Sequence, residues 1–274
     1  MDTILVPTDF SPAANNAVMY AAELAKYFSA RMILLNVYPY PAAGHEMTFP
    51  MPVINSMKET ADERLKLLKE EINEKLNYGL EIECMSEMGW PFDVIDSIVE
   101  TKNIDLLVMG IVGEAGKIKE HIIGSVAIKV ARNLKVPTFI IPENIKYKPI
   151  HKISFACDLE KTEETDLVYV AKYFCKVFDA ELEIINVEPP EEEVTIEKAK
   201  SSVFVESRLE NLRHQTVFIT GNKIKAELED YFHSHLTDLI LLNPKKHNLF
   251  YHLFNRSITK ELAFHAKLPI LAIH

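Results

Sequence analysis

The chain has 274 residues, 48% of them apolar and 26% charged, with 30 Lys and Arg against 40 Asp and Glu. That mixture describes a globular chain with apolar material for one large domain or two of ordinary size. A formal charge of −10 speaks against a general nucleic-acid binder, which needs a basic face, and no apolar run reaches the ~18–20 residues of a membrane span.

In chain order, the opening "MDTILVPTDF" is too short in apolar residues, and wrongly flanked, for a signal peptide. Short apolar runs at 3–8, 31–37, 80–85, 104–109 and 137–141 lack polar alternation. Such runs suit parallel strands buried on both faces. Helical patterns lie between them near 12–29, 55–77, 91–102 and 124–133. Ser11-Pro12 opens the first helix with a capping hydroxyl and a first-turn proline, and Val18, Ala21, Ala22 and Ala25 recur at helical spacing. Strand–helix alternation of this kind implies a parallel sheet with right-handed crossovers. The stretch 38–54, "YPYPAAGHEMTFPMPVI", carries four prolines and is expected to be irregular, covering the sheet edge or acting as a lid over a ligand.

The pattern then repeats. "ILVPTDFSPAANNAVMYAAELAKYFSARMILLNVYPYP" from Ile4 matches "ISFACDLEKTEETDLVYVAKYFCKVFDAELEIINVEPP" from Ile153, with Asp9 opposite Asp158. "IDLLVMG" at Ile104 matches "TDLILLN" at Thr237, and "LKVPTFIIP" at Leu134 matches "AKLPILAIH" at Ala266. The two prolines of 142–150 mark the boundary. Two domains are therefore expected, 1–145 and 150–274, the second shortened in its middle.

Ligands of open α/β sheets sit beyond the carboxyl ends of strands, where the strand order reverses. Two strand ends here carry suitable chemistry. The first delivers Pro7, Thr8 and Asp9. The fourth delivers "MGIVGEAGKIKEHIIGSV", which holds four of the chain's eight glycines, at 110, 113, 116 and 124. Glycine leaves main-chain N–H groups open to a ligand, and the helix expected after Gly124-Ser125 offers unpaired donors that favour phosphate. Between Gly110 and Lys135 five Lys or Arg face two Glu, a local surplus of positive charge in an acidic chain. The plainer account makes these glycines turn formers and Asp9 a helix cap. Neither a Walker loop nor a dinucleotide fingerprint is present.

Other candidates are thinner. His233 and His235 form an H-x-H, but zinc needs two further ligands that Cys157 and Cys175 are not placed to supply. No C-x-x-C occurs among Cys84, Cys157 and Cys175, which suits reduced thiols in a cytoplasm. Ser11 and Ser125 have no evident base, so no catalytic residue is assigned.

These residues resemble the universal stress proteins in their tandem two-domain form. Nucleotide-binding members show M-G-x-x-G, nine spacers, then G-S or G-T. Here Met109, Gly110 and Gly113 fit the first part and Gly124, Ser125 and Val126 the second, with ten residues between. The resemblance implies an α/β fold of two similar open, parallel, five-stranded sheets in the order 3-2-1-4-5 with flanking helices. It implies that the last strands, 138–142 and 270–274, pair within the chain as a pseudo-dimer. It also implies that Pro7, Thr8 and Asp9 hold adenosine, that Val37 lines the adenine pocket, and that phosphates rest on the glycine segment. The second repeat places Asn243, Lys246 and Arg256-Ser257 against that frame and is expected to be a degenerate copy.

The expected function is a cytoplasmic stress-response protein that binds ATP, with Mg²⁺ as its companion, and works through ligand-dependent interaction with an unidentified protein partner, with further association into a homodimer left open. At most, slow ATP hydrolysis is expected. The alternative is an interaction protein of the same fold that binds no nucleotide. An adenylating enzyme on a related fold ranks last, since "VPTDFSP" replaces its S-G-G-x-D-S loop.

Overall fold

The computed structural model describes residues 1–41, 51–111, 125–156, 162–188, 205, 207–220, 224–244 and 268–274. The chain divides into two compact units, with the division between Tyr147 and Lys148.

In the first unit β1 (Thr3–Pro7), β2 (Arg31–Tyr38), β3 (Ile82–Met88), β4 (Leu106–Ile111) and β5 (Thr138–Pro142) form a parallel sheet in the order β3-β2-β1-β4-β5. Ile4, Leu5, Val6, Ile33, Leu34 and Leu35 are all fully buried, so successive side chains find apolar cover on both faces. Helices α1 (Pro12–Phe28) and α2 (Met51–Leu76) follow β1 and β2; α3 (Pro91–Thr101) and α4 (Ser125–Asn133) follow β3 and β4. The strand order runs outward from β1 to β3 and then jumps back to β4. Right-handed crossovers therefore put α1 and α2 on one face and α3 and α4 on the other. The reversal falls between β1 and β4.

Local sequence explains the elements. Ser11 caps α1 by accepting from the Ala14 N–H at 3.2 Å, and Ser29 ends it in the left-handed conformation at φ 54°. Buried Ala13, Ala14, Ala17, Ala21, Ala22 and Ala25 give α1 a flat face that lies close to the sheet. Asn16 on the same helix donates from Nδ2 to the Pro142 and Ile145 carbonyls and accepts from Lys146 Nζ, pinning the end of β5. Helix α2 buries only Ala61, Leu65, Leu68 and Ile72, a narrow stripe at helical spacing.

Two boundaries differ from the sequence expectation by more than two residues. Helix α2 begins at Met51, inside the stretch expected to be irregular, because a proline at the second position costs a helix no hydrogen bond; residues 42–50 lie outside the described residues. The third strand runs to Met88 rather than 85. It carries half-buried Glu83 and exposed Glu87, so the apolar pattern fades before the strand does.

In the second unit β6 (Lys152–Ala156), β7 (Glu181–Glu188), β8 (His214–Thr220), β9 (Leu239–Leu242) and β10 (Ile270–Ala272) form a parallel sheet in the order β8-β7-β6-β9-β10. Its described helices are α5 (Thr162–Phe178) and α6 (Ile224–Ser234). The strand order is that of the first unit. The likeness reaches single atoms. Asp105 Oδ2 accepts from the Asp2 and Thr3 N–H groups at 2.7 and 3.1 Å. Asp238 Oδ2 accepts from those of His151 and Lys152 at 2.9 and 3.1 Å. Left-handed Ser29 and Asn103 recur as left-handed Asp179 and Leu236.

The cores are not alike. Strand registers place Leu5 opposite Ile33 in one unit and Ser154 opposite Glu183 in the other. Leu5, Ile33, Ile98 and Ile104 belong to one apolar cluster. Their equivalents are Ser154, Glu183, Tyr231 and Thr237, all buried. Lys152 Nζ donates to Glu183 Oε1 at 2.9 Å, Ser154 Oγ to Oε2 at 3.2 Å, and Gln215 Nε2 to Oε1. Thr237 Oγ1 lies 2.8 Å from Ser154 Oγ. Tyr231 hydrogen-bonds Glu183; burial, then the charge of Glu183, pushes its phenol up to about 12. A wholly buried carboxylate is thus satisfied on both oxygens, as burial demands.

Candidate functional site

The site grows from the end of β1. Thr8 is buried; its N–H donates to the Leu35 carbonyl at 2.8 Å and its carbonyl accepts from Asn36 Nδ2 at 2.7 Å, so the chain leaves the sheet in a fixed direction. Thr8 Oγ1 then accepts from the Phe10 N–H, and Asp9 Oδ1 from the Ser11 N–H, both at 2.9 Å. These two local bonds hold Phe10 at φ 62°. A bulky residue in the left-handed region is strained by about 1–3 kcal/mol and persists where its surroundings impose it. The Arg64 guanidinium of α2 lies 4.0 Å from the centroid of the Phe10 ring and adds to that restraint. The outcome is an exposed Asp9 carboxylate at the carboxyl end of the sheet, oriented by the N–H of the residue that caps α1.

Gly110 lies within β4, paired with Ile141, rather than in a loop. A Cβ there would stand 2.3 Å from the Ala13 carbonyl oxygen and 2.9 Å from the Ala14 nitrogen. Its lack of a side chain is therefore required by the first turn of α1. That contact draws the β1 and β4 ends, and with them Asp9, to one edge. In the second unit the same place is taken by buried Asn243.

The remaining expected residues fall into two groups. Val37 at the end of β2, Met109 on β4 and Val126 in the first turn of α4 pack on one apolar cluster; Met109 is buried in it, while Val37 and Val126 are half-buried. Pro7 is half-buried and pairs with Leu35. Ser125 is described only by its backbone, as the first residue of α4. Gly113, Gly124, Lys246, Arg256 and Ser257 lie outside the described residues, as do Gly116, Cys157 and Asp158. The structure brings Pro7, Thr8, Asp9, Val37 and Gly110 to one edge of the sheet. An exposed carboxylate beside a half-buried apolar strand end suits a nucleoside, which offers hydroxyl and amine donors on one side and a flat apolar ring on the other.

Three side chains here carry no spacing signal. Arg64 meets Phe10 across 54 positions of sequence. Lys129 of α4 lies 4.0 Å from the ring centroid of Phe92 in α3, linking two helices on one face. Trp90, the chain's one tryptophan, stands 70% exposed at the start of α3. Its signal was its rarity.

Elsewhere the surface is less promising. A depression in the second unit, lined by Lys152, Asp179, Arg213 and Asp238 among others, opens at the amino-terminal ends of the strands. Its cations are paired, Arg213 with Asp179 and Lys152 with Glu183. Among the described residues no group of three or more His, Cys, Asp or Glu could hold a metal. His235 stacks on Tyr231 with ring centroids 3.9 Å apart. No helix among the described residues is long and apolar enough to cross a membrane.

The model of the universal stress protein family matches residues 1–142. Two universal stress proteins of Methanocaldococcus jannaschii are similar to half of this chain, one 30% identical across 80% of its own length, the other 25% identical across 93%. Across 99% of this chain the fold is that of a universal stress protein from Archaeoglobus fulgidus, with a TM-score of 0.75 at 21% identity and 97% of that chain covered. With the sheet order, the pinned Asp9 and the matched family model in hand, the chain belongs to the universal stress protein family.

Proposed function

We propose that the first unit binds an adenine nucleotide, ATP foremost, and that occupancy governs association with a protein partner in a cytoplasmic stress response. The observation that carries this reading is the exposed Asp9 carboxylate, oriented by the Ser11 N–H beside half-buried Val37. Asp9 accepts from a ribose hydroxyl or the adenine amine; Pro7, Thr8 and Val37 shape the apolar side; Met109 sits beneath them in the core. Main-chain amides from Gly110 through Gly113 to Gly124, with Ser125 and Val126 at the start of α4, hold the phosphates. ATP supplies only its charge and its base, and Mg²⁺ rides with the phosphates. No residue is assigned to catalysis. A universal stress protein 22% identical to this chain was solved in complex with cAMP; what supports nucleotide binding here is this chain's own residues.

We assign domains 1–145 and 150–274, the second a degenerate copy without a nucleotide site. The second reading, an interaction protein that binds no nucleotide, draws on Gly110, whose bareness Ala13 alone accounts for.

Ligand that binds only the folded state raises the melting temperature with concentration. ATP is expected to raise that of the full chain more than inorganic triphosphate does, and less in Asp9→Ala. No shift with ATP would favour the second reading.

A further inference from the structure

We infer that Trp90 is the stacking platform for the base of the nucleotide held by the first unit, an inference that rests on the nucleotide reading above. Trp90 occupies the N-cap position of α3, with φ −86° and ψ 125°, and makes no capping hydrogen bond. Helices prefer Ser, Thr, Asp or Asn there, because a side-chain oxygen satisfies an otherwise orphaned N–H. An indole has no acceptor to offer. The position thus forgoes a helix-stabilising bond and instead exposes 70% of a large aromatic surface to water. Both choices work against stability, which is the mark of a residue kept for contact with something else.

Its place is informative. The register pairs Tyr38 with Met88, and the Gly89 N–H donates to the Tyr38 carbonyl at 3.0 Å. Trp90 therefore emerges beside the end of β2, one residue beyond Val37, at the same carboxyl edge of the sheet as Asp9. Phe92, two residues on, packs on the very cluster that carries Val37 and Val126. The start of α3 is thereby tied to the apolar side of the site. A tryptophan ring stacks on any planar base without regard to its hydrogen-bonding edge, so it adds affinity for the base and none for the phosphates.

The duplication supplies an internal control. The second repeat reads "FITGNKIKAE" where the first reads "SEMGWPFDVI". Strand register sets Met88 against Thr220 and the helix starts set Pro91 against Ile224, so Gly89 and Trp90 stand where the second repeat has the three residues Gly221, Asn222 and Lys223, none of them aromatic. The repeat that keeps the glycine frame carries the bare indole, and the repeat that lacks the frame carries no tryptophan. The tryptophan travels with the expected nucleotide site.

The chain's single tryptophan makes the test direct. Adenosine and ATP, titrated into the full chain, are expected to quench or shift Trp90 fluorescence saturably, and inorganic triphosphate is expected to leave it unchanged. Trp90→Asn is expected to weaken ATP binding about tenfold while raising the melting temperature by a few degrees through the restored cap; Trp90→Phe should keep most of the affinity. Opposite signs in binding and stability are a result that a merely structural tryptophan would not give. If ATP binds with unmoved fluorescence and equal affinity in Trp90→Asn, the stacking role is overturned while the nucleotide reading stands. If the unaltered chain binds no nucleotide, both fall.

Discussion

Gly110 on β4 lies directly beneath Ala13 in the first turn of α1, so that a single added carbon would stand 2.3 Å from the Ala13 carbonyl oxygen. That approach is far inside van der Waals contact, and the obstacle is backbone rather than a flexible side chain. Gly110→Ala is expected to destabilise the protein by about 1–3 kcal/mol, the usual cost of overpacking, seen as a lower urea midpoint. An unchanged midpoint would show that α1 can withdraw freely, and that Gly110 is kept for a ligand instead.

Asp9 separates binding from folding. It is exposed, and its one bond to a described residue is that from the Ser11 N–H. Asp9→Ala should cost under about 1 kcal/mol of stability. Nucleotide affinity should fall at least about tenfold, since a hydrogen bond to a charged group contributes about 1.5–3 kcal/mol. Asp9→Asn keeps an acceptor for Ser11 and should melt like the unaltered chain. Calorimetry beside thermal melting reads both effects.

Glu183 makes the opposite case. Removing it leaves Lys152, Ser154 and Tyr231 facing a buried void, and Glu183→Ala is expected to cost about 3–5 kcal/mol. Replacing all four polar positions with those of the sibling unit, as Ser154→Leu, Glu183→Ile, Tyr231→Ile and Thr237→Ile together, should be neutral or stabilising. Denaturant unfolding of both variants checks the pair. A fourfold variant less stable than Glu183→Ala would mean that the second unit's backbone no longer fits an apolar core.

Tyr231 carries a pH signature. Its folded pKa, about 12, lies above the ordinary value of 10. A phenol that holds its proton more tightly when folded contributes stability that is fully present below pH 10 and is lost as pH rises through 12. Tyr231→Phe should flatten the fall in stability between those limits. An equally steep fall in the variant would assign it to other groups.

Most of the fold was legible because its signals are local. Ser11-Pro12 announces α1, and the unalternated runs around Ile4, Ile33 and Leu107 announce buried parallel strands. The recurrence of Asp9 as Asp158 and of Asn36 as Asn186 announces the duplication. Asn36 turns out to bond the Thr8 carbonyl, a reason for its presence that only the folded chain displays. The site was legible where it follows a strand end, at Thr8 and Asp9. Gly110 was read as part of a loop because four glycines crowd one stretch, and sequence gives no view of the helix that presses on it. Arg64 and Trp90 were missed because they reach the site from other elements. Glu183 was missed because a charged residue inside a strand reads as surface until its partners on β6, β8 and α6 are in place.

The central claim is that the first unit holds an adenine nucleotide through Asp9 and the main chain of the glycine segment. Titration calorimetry of ATP into the full chain, Asp9→Ala and Gly113→Lys tests it most directly. The account predicts about one site per chain in the unaltered protein and binding weakened at least about tenfold in both variants. Equal affinity in all three proteins would contradict it.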